Sequence, residues 1–297
     1  MQIPTHCTLC PRRCGADRTK TPGRCGGGDT VLVARAALHH WEEPCVSGTN
    51  GSGTVFFSGC SLQCCYCQNY SISTERFGKP VSVEQLSEIF LRLQSQSAHN
   101  INLVTAGHWA VWVVEALKLA KNKGLCIPVV YNTSSYETLQ TIELLSEFVD
   151  IWLADMKYVS SECSKKYSSA PDYFEVTSAA ILKMIEIAGS PKFDQNGILQ
   201  RGVIIRHLAL PGNLADSKAV LQWMASLPEE KFLPSFMSQY TPFFNASNYK
   251  ELSRRISTWE YRQVIDTAVS LGLTNGYMQE KSSAKEEYTP SFDLTGV

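Results

Sequence analysis

The stretch Ser58-Gly59-Cys60-Ser61-Leu62-Gln63-Cys64-Cys65-Tyr66-Cys67-Gln68-Asn69 decides the reading of this chain, because Cys60, Cys64 and Cys67 fall at the spacing C-x3-C-x2-C. Three thiolates at that spacing hold three corners of a cubane iron–sulfur cluster and leave the fourth iron open. An open position separates a metal centre that binds and transforms a small molecule from one that is only structural or only passes electrons. Plain reduced thiols and a zinc site are the alternatives. Four cysteines in eight residues exceed any packing need, so the cluster is the better account. Cys65 breaks the spacing and reads as a small apolar group turned inward.

Just before this loop lies the apolar run 54–57, and from there β-rich runs alternate with amphipathic segments. Strands are predicted at 54–57, 101–105, 127–132, 150–155, 203–208 and 235–240. Helices are predicted at 83–97, 111–123, 137–148, 173–188, 217–226 and 259–271. Strict alternation implies parallel strands joined by crossover helices. Six such units make an α/β fold of the partial (β/α)6 barrel type. A doubly wound sheet shows the same alternation, and periodicity alone does not choose between them.

In either fold the C-terminal ends of the strands carry the chemistry. Polar residues interrupt the apolar runs at those ends: Gly107-His108 after the second strand, Asn132 at the third, Asp155 and Lys157 at the fourth, and Arg206-His207 at the fifth. Each has a structural explanation taken singly, as a cap, a turn or a surface charge. Their recurrence along one rim favours a joint functional reading.

The cysteine loop, with Tyr66 before its last cysteine, resembles the signature of the radical S-adenosylmethionine (SAM) superfamily. The resemblance implies that Cys60, Cys64 and Cys67 ligate a [4Fe-4S] cluster and that SAM chelates the open iron. It also implies reductive cleavage of SAM to a hydrogen-abstracting 5′-deoxyadenosyl radical, with Tyr66 near the adenine. Stretches 59–73, 100–104, 129–135, 150–158 and 202–212 are similar to the activating enzymes of glycyl radical enzymes, of the pyruvate formate-lyase activating group, in a branch with an added N-terminal cysteine motif. On that likeness Asp155 and Lys157 match an Asp-x-Lys pair that contacts SAM. Arg206 matches an arginine near its methionine carboxylate or ribose, and Asn132 a polar residue near the ribose. An electron donor such as flavodoxin or ferredoxin is implied, with a glycyl radical enzyme or a small molecule as substrate. One departure stands out: where these enzymes carry Gly-Gly-Glu, this chain has Ala106-Gly107-His108. Gly107 allows close backbone approach. His108 is expected either to accept a hydrogen bond from SAM or to exchange a proton with substrate.

A second cysteine group, Cys7, Cys10, Cys14 and Cys25, has the spacing C-x2-C-x3-C-x10-C among glycines and Pro11. It is expected to form a metal-binding knuckle for zinc or a second iron–sulfur cluster, a choice that spacing leaves open. Residues 1–50 read as this knuckle and its linker, 51–278 as the barrel, and 279–297 as a polar tail that either frays or straps the barrel mouth. Cys126 reads as core. Arg12, Arg13, Arg18, Lys20 and Arg24 form a local basic patch, read as a solvated face.

The 297 residues are 44% hydrophobic and 19% charged, which indicates a globular chain with a large core. A net charge of −1 argues against a general nucleic-acid surface. No signal-peptide core or membrane-length apolar run is evident, and eleven cysteines suit a reducing compartment, so a cytoplasmic location is expected. An iron–sulfur electron carrier and a zinc-based binding module are the competing classes. A four-cysteine loop at Cys60 would have favoured the first, and a dense basic face the second.

Overall fold

The computed structural model describes residues 2–279 and 290–297. Ten strands occur among them: β1 Val31–His39, β2 Ser52–Phe57, β3 Lys79–Val81, β4 Ile101–Val104, β5 Val129–Thr133, β6 Ile151–Asp155, β7 Lys192–Phe193, β8 Leu199–Leu208, β9 Leu233–Met237 and β10 Tyr277–Met278. The main sheet runs β10-β9-β8-β6-β5-β4-β2-β1-β3, with β7 on the side of β8. Pairing is parallel from β2 through β4, β5, β6, β8 and β9 to β10. This order settles what periodicity left open. A doubly wound sheet reverses direction at a switch point, whereas here every central strand lies beside its predecessor and the sheet wraps one way into an unclosed barrel.

The six expected crossover helices are present at Val83–Ser95, Ala110–Asn122, Leu139–Leu145, Tyr173–Ala188, Leu214–Ala225 and Thr258–Ser270. Local chemistry fixes several of their starts. Ser82 with Gln85 and Ser257 with Glu260 form capping boxes that satisfy the first free N–H groups. The fifth-strand-side helix begins at Leu139 rather than 137 because Thr138 accepts from the Thr141 N–H as its cap. Glu137 is thereby released to turn inward toward Tyr131 and Thr133.

Along the strands a period of two sorts the barrel interior into layers. Val130, Leu153, Ile204 and Leu233 form an apolar floor, closed by Cys45 and Val46 of the short Pro44–Ser47 helix. Two residues further along each strand stand Asn132, Asp155, Arg206 and Ser235, so the polar layer lies directly above a dry one.

Strand β1 was not foreseen. It pairs antiparallel with β2, and with β3 on its other side, inside the segment expected to be knuckle and linker. Its run Val31-Leu32-Val33-Ala34 precedes the cysteine loop and lies outside the alternation on which the sequence reading rests. Residues 280–289 of the expected tail lie outside the described residues. The last residues return to β1: Leu294 N–H donates to Ala34 O, Ala36 N–H donates to Thr295 O, Asp293 pairs with Arg35 at 2.9 Å, and Phe292 packs edge-on against Phe56.

Candidate active site

At the strand ends a cavity of about 240 Å3 is lined by all three cluster-spaced cysteines together with Tyr66, Asn132, Asp155, Lys157 and Arg206. The fold thus brings together seven side chains and Tyr66 from four separate stretches of sequence. Each of the three sulfurs already receives a hydrogen bond: Cys60 from Leu62 N–H at 3.4 Å, Cys64 from the Ser168 hydroxyl at 3.0 Å, and Cys67 from the Ser73 hydroxyl at 3.4 Å. Burial pushes the Cys60 and Cys64 thiols up to about 11, with Lys157 acting the other way on both. Left alone they are thiols, and a bound iron centre is what would draw them into the thiolate form. The donors around each sulfur fit the negative charge such a centre carries.

Gly59 makes this loop possible. Its φ is +90°, and a Cβ there would stand 2.5 Å from Cys25 O and 2.8 Å from His108 Nε2. Tyr66 lies beneath the loop, buried, with its hydroxyl 2.5 Å from that of Tyr158. Tyr158 is 3.0 Å from Ser168, so a buried hydroxyl chain runs from Tyr66 to Cys64. Ser168 belongs to the Ser161–Ser168 helix, another element absent from the sequence reading.

On the opposite wall Arg206 organises the polar layer. Its Nε and Nη2 reach Asp155 Oδ1 at 2.9 Å, Nη1 reaches Glu42 Oε2 at 3.1 Å, and Nη2 donates to Asn132 Oδ1 at 2.6 Å. Lys157 Nζ holds the other Asp155 oxygen at 2.6 Å. Burial would raise the Asp155 carboxyl, but Arg206 and Lys157 outweigh it and hold the group below its ordinary range. Burial likewise opposes the charge on Lys157, and Asp155 overrides it, so the ammonium is held more firmly than in water. These groups stay ionised at neutral pH and present fixed charges to the cavity.

Glu42 is the site residue that the sequence reading missed. Its Oε1 accepts from Asn102 at 3.0 Å and Asn132 at 2.9 Å while Oε2 faces Arg206, so it ties three strands together from inside the barrel. The only sequence signal is an acidic pair, Glu42-Glu43, beside Pro44, which by itself reads as a turn.

His108 and Gly107 are not among the residues lining this cavity. His108 is 3% exposed, its Nε2 lies 2.9 Å from Ser58 O, and burial pushes its pKa down to about 4. The ring supports the start of the cysteine loop, and the neutral form is the one buried there. Gly107 lies over Glu137, whose carboxylate leaves no room for a side chain at that position. The proton-transfer role expected for His108 therefore has no geometric support.

The N-terminal group packs against the same rim. Cys25 O accepts from Cys60 N–H at 3.0 Å, and Leu9 O accepts from Thr141 at 2.6 Å. Arg12, expected on a solvated face, instead donates to the carbonyls of Ser61, Ser168 and Ser169 and lies over the Tyr136 ring. Arg18, also expected there, is 1% exposed between Trp109 and Trp112 and donates to His108 O and Gly28 O. Cys126, expected in the core, is exposed because its backbone N–H is held at the surface by Gln94. Among the described residues no three His, Cys, Asp or Glu side chains converge as the ligands of a single ion would.

Fold and site define an open α/β barrel with a cysteine loop at its mouth. A family model described as a 4Fe-4S single cluster domain matches residues 46–170. The chain is 27% identical over 275 residues to an uncharacterised protein of Methanocaldococcus jannaschii, covering 90% of this chain and 75% of that one. It is 28% identical over 191 residues to a pyruvate formate-lyase-activating enzyme of Clostridium pasteurianum, covering 61% of this chain and 71% of that one. Among solved structures, methylornithine synthase superposes with a TM-score of 0.50 at 12% identity, covering 74% of this chain and 68% of that one, which speaks for the fold. The stretch matched by the 4Fe-4S single cluster domain includes the loop that carries Cys60, Cys64 and Cys67. No helix among the described residues is long and apolar enough to cross a membrane.

Proposed function

We propose that Cys60, Cys64 and Cys67 hold the cluster, that Tyr66, Asn132, Asp155, Lys157 and Arg206 hold SAM, and that the enzyme activates a partner protein by hydrogen abstraction, in the manner of a glycyl radical enzyme activator. The observation that carries this reading is the convergence of those residues on one cavity. When bound, the cluster supplies the electron that splits the SAM sulfonium. The chain's own part is electrostatic and positional. Asp155 offers a permanently ionised acceptor to a cationic ligand, Lys157 places positive charge beside the sulfurs, and Arg206 fixes Asp155 and Asn132 so that neither reorganises during reaction.

The likeness to pyruvate formate-lyase-activating enzyme supports a protein substrate. Departure from Gly-Gly-Glu at Ala106-Gly107-His108 supports a second reading, modification of a small molecule or peptide at the same barrel. Anaerobically reconstituted protein given dithionite and SAM is expected to release 5′-deoxyadenosine, and Cys60→Ala to release none. Equal yields from both would refute the assignment of the triad. Deuterium transfer into 5′-deoxyadenosine from labelled candidates then separates protein from small-molecule substrates.

For the N-terminal cysteines the reading is an anionic metal–thiolate centre. Its support is Arg18, a buried cation on which the Cys25, Cys7 and Cys14 sulfurs act, with an Nη2 that has no oxygen or nitrogen acceptor among the described residues. A buried guanidinium without a carboxylate is costly unless its neighbours carry negative charge.

A further inference from the structure

Beside the first cavity, across the segment Trp41–Glu42, lies a second of about 460 Å3, walled by the chain after β1 and by β9 and β10. The two share Trp41, Glu42, Arg206, Met237 and Gln239, so a ligand in the second abuts whatever fills the first. Glu43 lines only the second. It is 8% exposed; the neutral Ser235 hydroxyl serves its carboxyl, while Oε2 makes no hydrogen bond among the described residues. Leaving a buried carboxylate oxygen unpaired is among the costlier arrangements a fold can hold, and such a group points to a missing donor.

We propose that this cavity receives a protonated amine of the substrate, an alkylammonium or the side chain of a basic residue, with the Glu43 carboxylate as its acceptor. The proposal rests on reading the first cavity as the SAM site. Arg206 acts on Glu43 only as a nearby charge, since the hydrogen bonds its guanidinium makes among the described residues go to Asp155, Glu42 and Asn132. Of the three acidic side chains in the connected cavities, Glu42 and Asp155 each pair with a cation, whereas no ion pair is formed by Glu43 among the described residues. Burial raises the Glu43 carboxyl while Arg206 pulls it back, and an incoming cation tips that balance toward the ionised form. Trp41 and Tyr277 supply aromatic faces, and Met237 and Met278 supply thioethers, for the alkyl stem of such a group. An anion would meet the Glu42 and Glu43 carboxyl groups, and a neutral apolar ligand would leave Oε2 unpaired.

The probes are n-hexylammonium, n-hexanol and n-hexanoate, titrated by calorimetry into anaerobic holoenzyme loaded with SAM. Hexylammonium is expected to bind at least about tenfold more tightly than hexanol, the value of one charge-assisted hydrogen bond, and hexanoate not at all. Glu43→Gln is expected to remove the preference while leaving SAM affinity unchanged. Met278→Ala, which leaves the carboxylate in place, is expected to weaken hexylammonium and hexanol alike. Hexanol binding as tightly as hexylammonium in the wild type, or a preference that survives Glu43→Gln, overturns the proposal. Failure of the underlying reading shows separately, as absence of SAM binding or of 5′-deoxyadenosine formation before any probe is added.

Discussion

Replacing Arg206 by methionine tests the electrostatic frame on which the site reading depends. The side chains of Arg206, Glu42 and Asp155 are 10%, 11% and 13% exposed, so solvent screens their contacts weakly. Removing the guanidinium does not leave its partners equally stranded. Asp155 keeps Lys157 at 2.6 Å, and Glu42 Oε1 keeps two amide donors, but Glu42 Oε2 loses the cation that faces it. Stranding a buried charge in this way costs about 3–5 kcal/mol. At the size of this chain that corresponds to a fall of roughly 10 °C in Tm. Glu42→Gln added to Arg206→Met removes the stranded charge and is expected to recover about 1–2 kcal/mol, although the same substitution alone destabilises. Guanidinium unfolding of the anaerobic protein, followed by circular dichroism, gives all four corners of the cycle. A loss below about 1 kcal/mol in Arg206→Met, or a double variant no more stable than the single, would refute the idea that Arg206 neutralises a buried acidic pair.

Glu137 predicts a pH signature. Burial, opposed by hydrogen bonds from Thr133 and Tyr131, raises its carboxyl from 4.5 to about 7. The folded state therefore binds a proton that the unfolded state has released. Its contribution is full below about pH 4 and is lost as pH rises to about 7. At about 1.4 kcal/mol per pH unit the loss amounts to about 3 kcal/mol. Glu137→Gln should lack this decline, and unfolding curves for the two proteins that run parallel across that window would exclude it. At the N-terminus, Cys7→Ala/Cys10→Ala should lower the metal content per chain while leaving the iron of the Cys60 triad, and Arg18→Gln should lower retention of the same metal under chelator. Unchanged zinc and iron in both variants, by elemental analysis, would count against a centre there.

Much of the fold was legible because each parallel strand is a short apolar run buried on both faces and each helix carries its own caps. Tyr173–Ala188 falls where the periodicity puts it, and the other five crossover helices begin or end within a few residues of expectation. What escaped were elements whose residues carry no periodic signal. The Pro44–Ser47 helix is too short to show a period, and β1 pairs antiparallel to strands the alternation had already ordered. His108 illustrates the opposite error. A histidine after a strand end reads as rim, but the backbone beyond β4 turns it toward Ser58 and away from the cavity.

By itself the sequence determined the cysteine triad, the alternation of strands and helices, and hence the class of chemistry proposed, because ligand spacing and hydrophobic period are local properties written into consecutive residues. Only the tertiary structure decided that the sheet wraps in one direction, that Glu42 enters the barrel to meet Arg206 from 164 residues away, and that Glu43 faces a second cavity with an oxygen unpaired among the described residues. Those are consequences of which distant groups share one desolvated space, where the strength of a charge is set by its neighbours rather than by its place in the chain.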